Sequence, residues 1–223
     1  MEHVCLDLEG VLIPEIWAEV AEYTGEDQFK LTTQDLKDYS ELMDMRIDLV
    51  QSIGISFLEI QSLVDKMEPF DGAREFIDWV RDNFQLTIVS DSFYELAWPL
   101  LRKLGTPSIN CHYLDIENNE LKGYTLRQLE NKKKVVQGLK DMKFKVFASG
   151  DSYNDIQMLQ EADLGVFFQA PKHIRDEFKE IEAVEWRPWQ EGYAGILYLT
   201  LQKRELYGRA ELPPSAIFPG RRS

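Results

Sequence analysis

The sequence predicts an α/β protein: a three-layer α/β/α core built on a parallel sheet, with a small helical cap inserted after the first strand. Three observations predict it. Strand-like and helix-like segments alternate along most of the 223 residues, the pattern of a parallel sheet with helices on both faces. The strand-like runs give way to turns that carry acids, hydroxyls and amides, where open sheets of this class place their ligands. The stretch from about residue 14 to 66 is helix-like throughout and offers no strand.

His3-Val4-Cys5-Leu6 is apolar and partly β-branched, as a strand buried on both faces requires, and Gly10 supplies the turn after it. Residues 14–66 then form the expected cap, and residues 1–13 with 67–205 the core. Ala73, Phe76, Ile77 and Val80 recur at helical spacing ahead of the second strand, residues 84–90. Residues 111–125 alternate around Asn118-Asn119 and read as a hairpin. Lys132, Lys133 and Lys134 open a helix before a strand over 144–149. A helical pattern over 153–161 and a strand over 164–168 complete the core. From Leu206 onward, with Pro213-Pro214 and Arg221-Arg222, the chain reads as a tail of residues 206–223.

Composition narrows the function classes. The net charge of −14, from 39 acidic against 25 basic residues, argues against nucleic acid and anionic membrane as partners, since both are polyanions. Two cysteines, Cys5 and Cys111, are too few for a disulfide framework, and no apolar run reaches membrane-spanning length. With no signal-peptide pattern after Met1, the expected compartment is the cytoplasm.

The chemistry concentrates at the strand ends. Asp7 and Glu9 place two carboxylates at alternate positions where the first strand meets Gly10. Ser90 and Asp91 end the second strand with a hydroxyl and an acid. Gly150-Asp151-Ser152-Tyr153-Asn154-Asp155 follows a strand with two acids and an amide. Each has a plain structural reading: Ser90 as a helix cap, Asp151 and Asp155 as capping groups, the lysine run as a solvated face. Their combination is more specific, because phosphoryl transfer needs a nucleophile, a divalent cation, donors for the phosphoryl oxygens and a balancing positive charge. In the cap, Tyr39, Leu42, Met43, Arg46, Leu49 and Val50 share one helical stripe, so Arg46 projects from a face that ought to be buried. It either snorkels or receives an anion. Glu15, after Pro14 at a helix start, either serves the helix dipole or holds a cation.

At these motifs the chain resembles the haloacid dehalogenase superfamily of phosphohydrolases, whose four motifs match Asp7-Leu8-Glu9-Gly10-Val11, Ser90, a lysine of the 132–134 run, and the loop from Gly150 to Asp155. Within it, Cys5 to Leu12 and Pro14-Glu15-Ile16-Trp17 are similar to the bifunctional phosphoserine phosphatases/homoserine phosphotransferases of bacteria, as are Gly123-Tyr124, Leu126-Arg127-Gln128 and Ala170-Pro171. The superfamily usually carries Asp two residues after the nucleophile; Glu9 departs from that and agrees with the bifunctional group. The resemblance implies a Rossmann-like core and assigns Asp7 as nucleophile and Glu9 as general acid and base. Asp7, Asp151 and the Glu9 backbone carbonyl become ligands of Mg²⁺. Ser90 and one lysine would hold the phosphoryl group, with Lys132 favoured over Lys133. Asp91 and Asn154 would bind substrate, Asp155 would orient the lysine or the metal shell, and Arg46 and Glu15 would take the carboxylate and ammonium of phosphoserine. The acceptor, water or homoserine, stays open, as does a homodimer. Two further readings remain: a general hydrolase of another small phosphate ester, and a receiver-like module that keeps its phosphate. The second fits poorly, because a receiver carries its nucleophile on a later strand and has no room for so long a helical insertion.

Overall fold

A computed structural model describes residues 2–33, 35, 36 and 38–184. The expected tail, 206–223, and the last part of the expected core, 185–205, lie outside the described residues. The strands are β1 (Glu2–Leu6), β2 (Gln85–Phe93), β3 (Ile109–Glu117), β4 (Glu120–Thr125), β5 (Lys145–Gly150), β6 (Leu164–Phe168) and β7 (Glu182–Val184). They form one sheet in the order β4-β3-β2-β1-β5-β6-β7, parallel except for the β3–β4 hairpin. The helices are α1 (Ile16–Thr24), α2 (Tyr39–Ile53), α3 (Phe57–Lys66), α4 (Ala73–Asn83), α5 (Tyr94–Lys103), α6 (Asn131–Asp141), α7 (Ile156–Glu161) and α8 (Lys172–Glu177).

The period-2 alternation of the strands sorts the core into two layers. Val4 and Leu6 of β1, Phe147 of β5 and Val166 and Phe168 of β6 join the apolar cluster that α1 to α5 cover. Cys5, Val146, Ala148 and Phe167, one position out of phase, join the cluster under α6, α7 and α8. A sheet with helices on both faces is the expected α/β/α arrangement. Cys5 and Cys111 are buried free thiols. No single helix among the described residues is long and apolar enough to cross a membrane.

Between β1 and α4 lie α1, a 3₁₀ turn (Asp27–Lys30), α2 and α3, with no strand of the sheet among the described residues there. Ser56 and Glu59 form a reciprocal capping box at the start of α3, worth about 1 kcal/mol. The β3–β4 hairpin holds these helices from the side. Its turn, Asn118 and Asn119, has both φ angles positive, at 50° and 66°, as a two-residue hairpin turn demands. The Asn119 carbonyl accepts from the Phe57 N–H at 2.9 Å, and its side-chain oxygen from the Leu58 N–H at 2.8 Å, so the hairpin tip caps α3.

Three boundaries differ from the sequence expectation by more than one residue. The second strand runs on to Phe93, past a register shift between Val89 and Phe93, so Ser90 lies inside β2 and is no helix cap. Asp91 and Ser92 are poor strand formers and fall within that shift, and the pairing of Phe93 with His112 of β3 carries the strand past them. The hairpin begins at Ile109, because its first strand also pairs in parallel with β2. The helix expected over 153–161 opens as a 3₁₀ turn, Tyr153–Asp155, and α7 starts at Ile156.

Candidate active site

Chain order in the sheet runs outward from β1 to β2 on one side and resumes with β5 on the other, so the crevice between the β1 and β5 ends is the switch point where such sheets bind ligands. Leu6 is in register with Ser149, and the Asp7 N–H donates to the Ser149 carbonyl at 2.9 Å. Asp7 and Asp151 therefore leave the sheet side by side. Gly10 closes the turn with φ +75°, and a Cβ there would lie 2.3 Å from Asp151 Oδ2, so only glycine lets the main chain approach that carboxylate. Carboxylate oxygens of Asp7, Asp151 and Asp155 lie within 4.8 Å of one another.

Lys132, in the first turn of α6, enters this cluster as a buried ammonium. Its Nζ lies 2.9 Å from Asp7 Oδ1, 2.7 Å from Asp155 Oδ1 and 3.9 Å from Asp91 Oδ2. Lys133 instead faces Glu130 at 3.8 Å and is half-exposed, so the structure brings Lys132 to Asp7. Asp155 is fully buried, and its other oxygen accepts the Asp151 and Ser152 N–H groups, both at 3.0 Å. One carboxylate thus fixes both the lysine and the loop.

The charges do not balance. Burial and Asp155 push Asp7 well above the ordinary carboxylate range, with Lys132 opposing and Asp151 adding to the rise. Burial and Asp155 push Asp151 up to about 7. Burial also works against the Lys132 ammonium, but Asp155, Asp7 and Asp91 outweigh it and hold the lysine well above its usual value. The cluster has room for further positive charge.

Ser90 is buried in β2, where its Oγ accepts the Ser92 N–H at 3.1 Å and keeps its own proton to donate. Sequence reasoning missed Asn131. Its Nδ2 donates to the Ser90 carbonyl at 3.2 Å and to the Asn110 carbonyl at 3.4 Å, tying the start of α6 to β2 and β3. The available signal was an amide directly before Lys132.

On the side of α1 and α2, Glu9 Oε2 accepts the Ile16 N–H at 2.9 Å and so caps α1 from outside the helix. Burial, then the Glu9 carboxyl beside it, pushes Glu15 up to about 8. Arg46 projects inward as the stripe predicts. Its Nη2 donates to the Leu31 carbonyl at 2.8 Å, its guanidinium lies 5.0 Å from the Trp17 ring centroid, and its Nε is buried without a partner among the described residues. Asn154 Oδ1 accepts from Thr33 Oγ1 at 2.9 Å, a bond across 121 positions of chain that sequence reading did not foresee. All the predicted site residues except Asp155 line one cavity of about 200 Å³.

A crevice at the switch point of a parallel sheet, with strand-end acids clustered around a buried lysine, is the arrangement an α/β enzyme presents to a charged ligand. The haloacid dehalogenase-like hydrolase family matches residues 1–163, and the chain belongs to that family. It is 46% identical to the phosphoserine phosphatase ThrH of Pseudomonas aeruginosa over 185 residues, 82% of this chain and 90% of that protein. A phosphoserine phosphatase of Pseudomonas syringae is 44% identical, again over 82% of this chain and 78% of its own. Among solved structures, a phospho-aspartyl intermediate analogue of phosphoserine phosphatase superposes with a TM-score of 0.72 at 21% identity, covering 91% of this chain and 98% of that one. A substrate-bound phosphoserine phosphatase gives 0.71 at 18% identity, over 91% and 97%. At such identities the likeness is one of fold.

Proposed function

We propose that the protein is a Mg²⁺-dependent phosphoserine phosphatase that works through an aspartyl-phosphate on Asp7 and also passes the phosphoryl group to homoserine. The observation that carries this reading is the buried Lys132 ammonium 2.9 Å from the strand-end carboxylate Asp7, in a cavity that also takes in Arg46 and Glu15. The 46% identity to a phosphoserine phosphatase supports the substrate.

The donor set fits a hard divalent cation: it is all oxygen, its carboxylates converge, and its raised acids lack balancing charge. Asp7, Asp151 and the Glu9 backbone carbonyl would hold Mg²⁺, which when bound supplies positive charge to the phosphoryl oxygens. Asp155 is left to orient Lys132, to which its Oδ1 is already committed. Residues 14–66 act as the cap over the core.

In the first half-reaction Asp7 attacks phosphorus, the bond to the serine oxygen breaks, and Glu9 gives that oxygen a proton. Ser90 and Lys132 donate to the phosphoryl oxygens as charge shifts onto them. In the second, Glu9 takes the proton from water or from the homoserine hydroxyl, whose oxygen attacks phosphorus and frees Asp7. Arg46 takes the substrate carboxylate and Glu15 its ammonium, while Asp91 and Asn154 bind the rest. A cation beside Glu15 favours its ionised form, offsetting what burial costs it.

The test is phosphorus NMR of the protein with phosphoserine and Mg²⁺, with and without homoserine. Phosphohomoserine forming at the expense of free phosphate is the expected result. Free phosphate alone would restrict the activity to hydrolysis, and an unchanged phosphoserine signal would overturn the substrate.

A further inference from the structure

Asp91 presents a difficulty that the catalytic reading leaves unsolved. It follows the phosphate-binding Ser90 directly, lines the same cavity, and would set a negative charge beside a phosphoryl dianion. Burial opposes its ionisation, yet Lys132 and His112 hold it below the ordinary carboxylate range, so it stays charged. Something must keep that charge off the phosphate.

We infer that His112 is a positioning residue for the phosphate site, acting through Asp91, whose carboxylate it draws toward itself and so keeps off the Lys132 ammonium and the phosphoryl oxygens. The two carboxylate oxygens face different donors. Oδ2 lies 3.9 Å from Lys132 Nζ, and Oδ1 lies 3.7 Å from His112 Nε2. The tautomer follows from the other ring nitrogen: Nδ1 accepts the Arg127 backbone N–H at 3.1 Å, so the proton sits on Nε2 and points at Asp91. The ring has little freedom to turn. It is 3% exposed and packed between Tyr39 and Phe93, with centroids 6.1 and 6.2 Å away.

The backbone of Asp91 is pinned separately, by the Tyr39 hydroxyl donating to its carbonyl at 2.7 Å. With the main chain fixed from α2, only rotation of the side chain is left, and the Nε2–H of His112 on β3, 3.7 Å from Oδ1, is the group that attracts it. Without His112 the free oxygen turns onto Lys132 or into the space of the phosphoryl group, and either motion competes with phosphate for the same ammonium. A purely space-filling His112 makes a different prediction: its loss would cost the same whether or not residue 91 is charged.

The inference rests on the phosphate-handling reading of the site, and a double-mutant cycle on the binding of inorganic phosphate separates the two. Calorimetry at fixed Mg²⁺ compares the unsubstituted protein, His112→Leu, Asp91→Asn and the double variant. His112→Leu should weaken phosphate binding about tenfold in the Asp91 background and less than about twofold once Asp91 is Asn. His112→Gln, whose amide N–H can take the place of Nε2–H, should keep affinity within about twofold of the unsubstituted protein. In turnover, His112→Leu should raise KM for a phosphate ester with little change in kcat. Equal cost in both backgrounds, or a Gln variant as weak as the Leu variant, would overturn the role of His112. Phosphate failing to bind the unsubstituted protein would overturn the site reading, and this inference with it.

Discussion

Asp7 is a carboxyl whose ionisation the fold opposes, because burial and Asp155 raise its pKa well above the ordinary range and Lys132 recovers only part of the difference. A group whose folded pKa is raised opposes folding once it ionises, so removing its charge does not weaken the fold at neutral pH. The amide of Asp7→Asn can still accept the Leu8 N–H that Oδ1 accepts at 2.8 Å. We therefore expect Asp7→Asn to lose turnover of phosphoserine by more than about 10³-fold while its melting temperature stays the same or rises. Retained turnover would remove Asp7 as nucleophile, and a large fall in melting temperature would mean that the variant tests folding instead. At this scale the sequence showed the acids, the hydroxyl and a lysine of the 132–134 run, because each chemical role restricts residue type tightly, and the structure brings Lys132 of that run to Asp7. The sequence showed neither Asn131 nor the Thr33–Asn154 bond, because amides and hydroxyls serve so many turns and caps that only a distance between remote segments singles them out.

The elements that carry the site were legible to the degree that their signal is periodic. β1, β5 and β6 alternate between two apolar layers, and α2 buries Leu42, Met43 and Val50 as its stripe predicts. The end of β2 was not legible, because Asp91 and Ser92 lie in a register shift that the strand crosses only by pairing Phe93 with His112 of β3, a contact remote in sequence. The opposite end of β1 offers an independent check on the sheet. His3 Nε2 bonds Thr87 Oγ1 of β2 at 2.9 Å and meets the edge of Phe144, and burial lowers its pKa. The folded state thus resists protonating His3, whereas the unfolded chain takes the proton near its ordinary value of 6.5. Its contribution is complete above that value and falls away as pH drops below it toward the lowered folded value. Urea unfolding followed from pH 7.5 down to 5 should show a shallower loss of stability in His3→Gln than in the unsubstituted protein. Parallel curves would mean that His3 titrates alike in both states.

Across the whole molecule, the residues proposed to bind substrate come from both sides of one cavity, and those from α1 and α2 also hold that side together. Arg46 shows this double duty. Its guanidinium ties α2 to the 3₁₀ turn through the Phe29 and Leu31 carbonyls and covers Trp17 of α1, yet it faces the cavity with Glu9 and Glu15 nearby. Burial lowers its pKa against the pull of Glu9, Tyr39 and Glu15, so the fold bears a desolvation cost that packing alone would not require. An arriving carboxylate offsets that cost, whereas an aryl phosphate brings none. Arg46→Ala should therefore raise KM for phosphoserine by about 10- to 100-fold, the 1.5–3 kcal/mol of hydrogen bonds to a charged group, and raise KM for an aryl phosphate far less. Arg46→Lys keeps the charge but loses the planar fork, and should fall between the two. Equal losses on both esters would leave Arg46 as a clamp between α1 and α2 alone, and specificity for an amino-acid phosphate would then have to come from Glu15, Asp91 and Asn154.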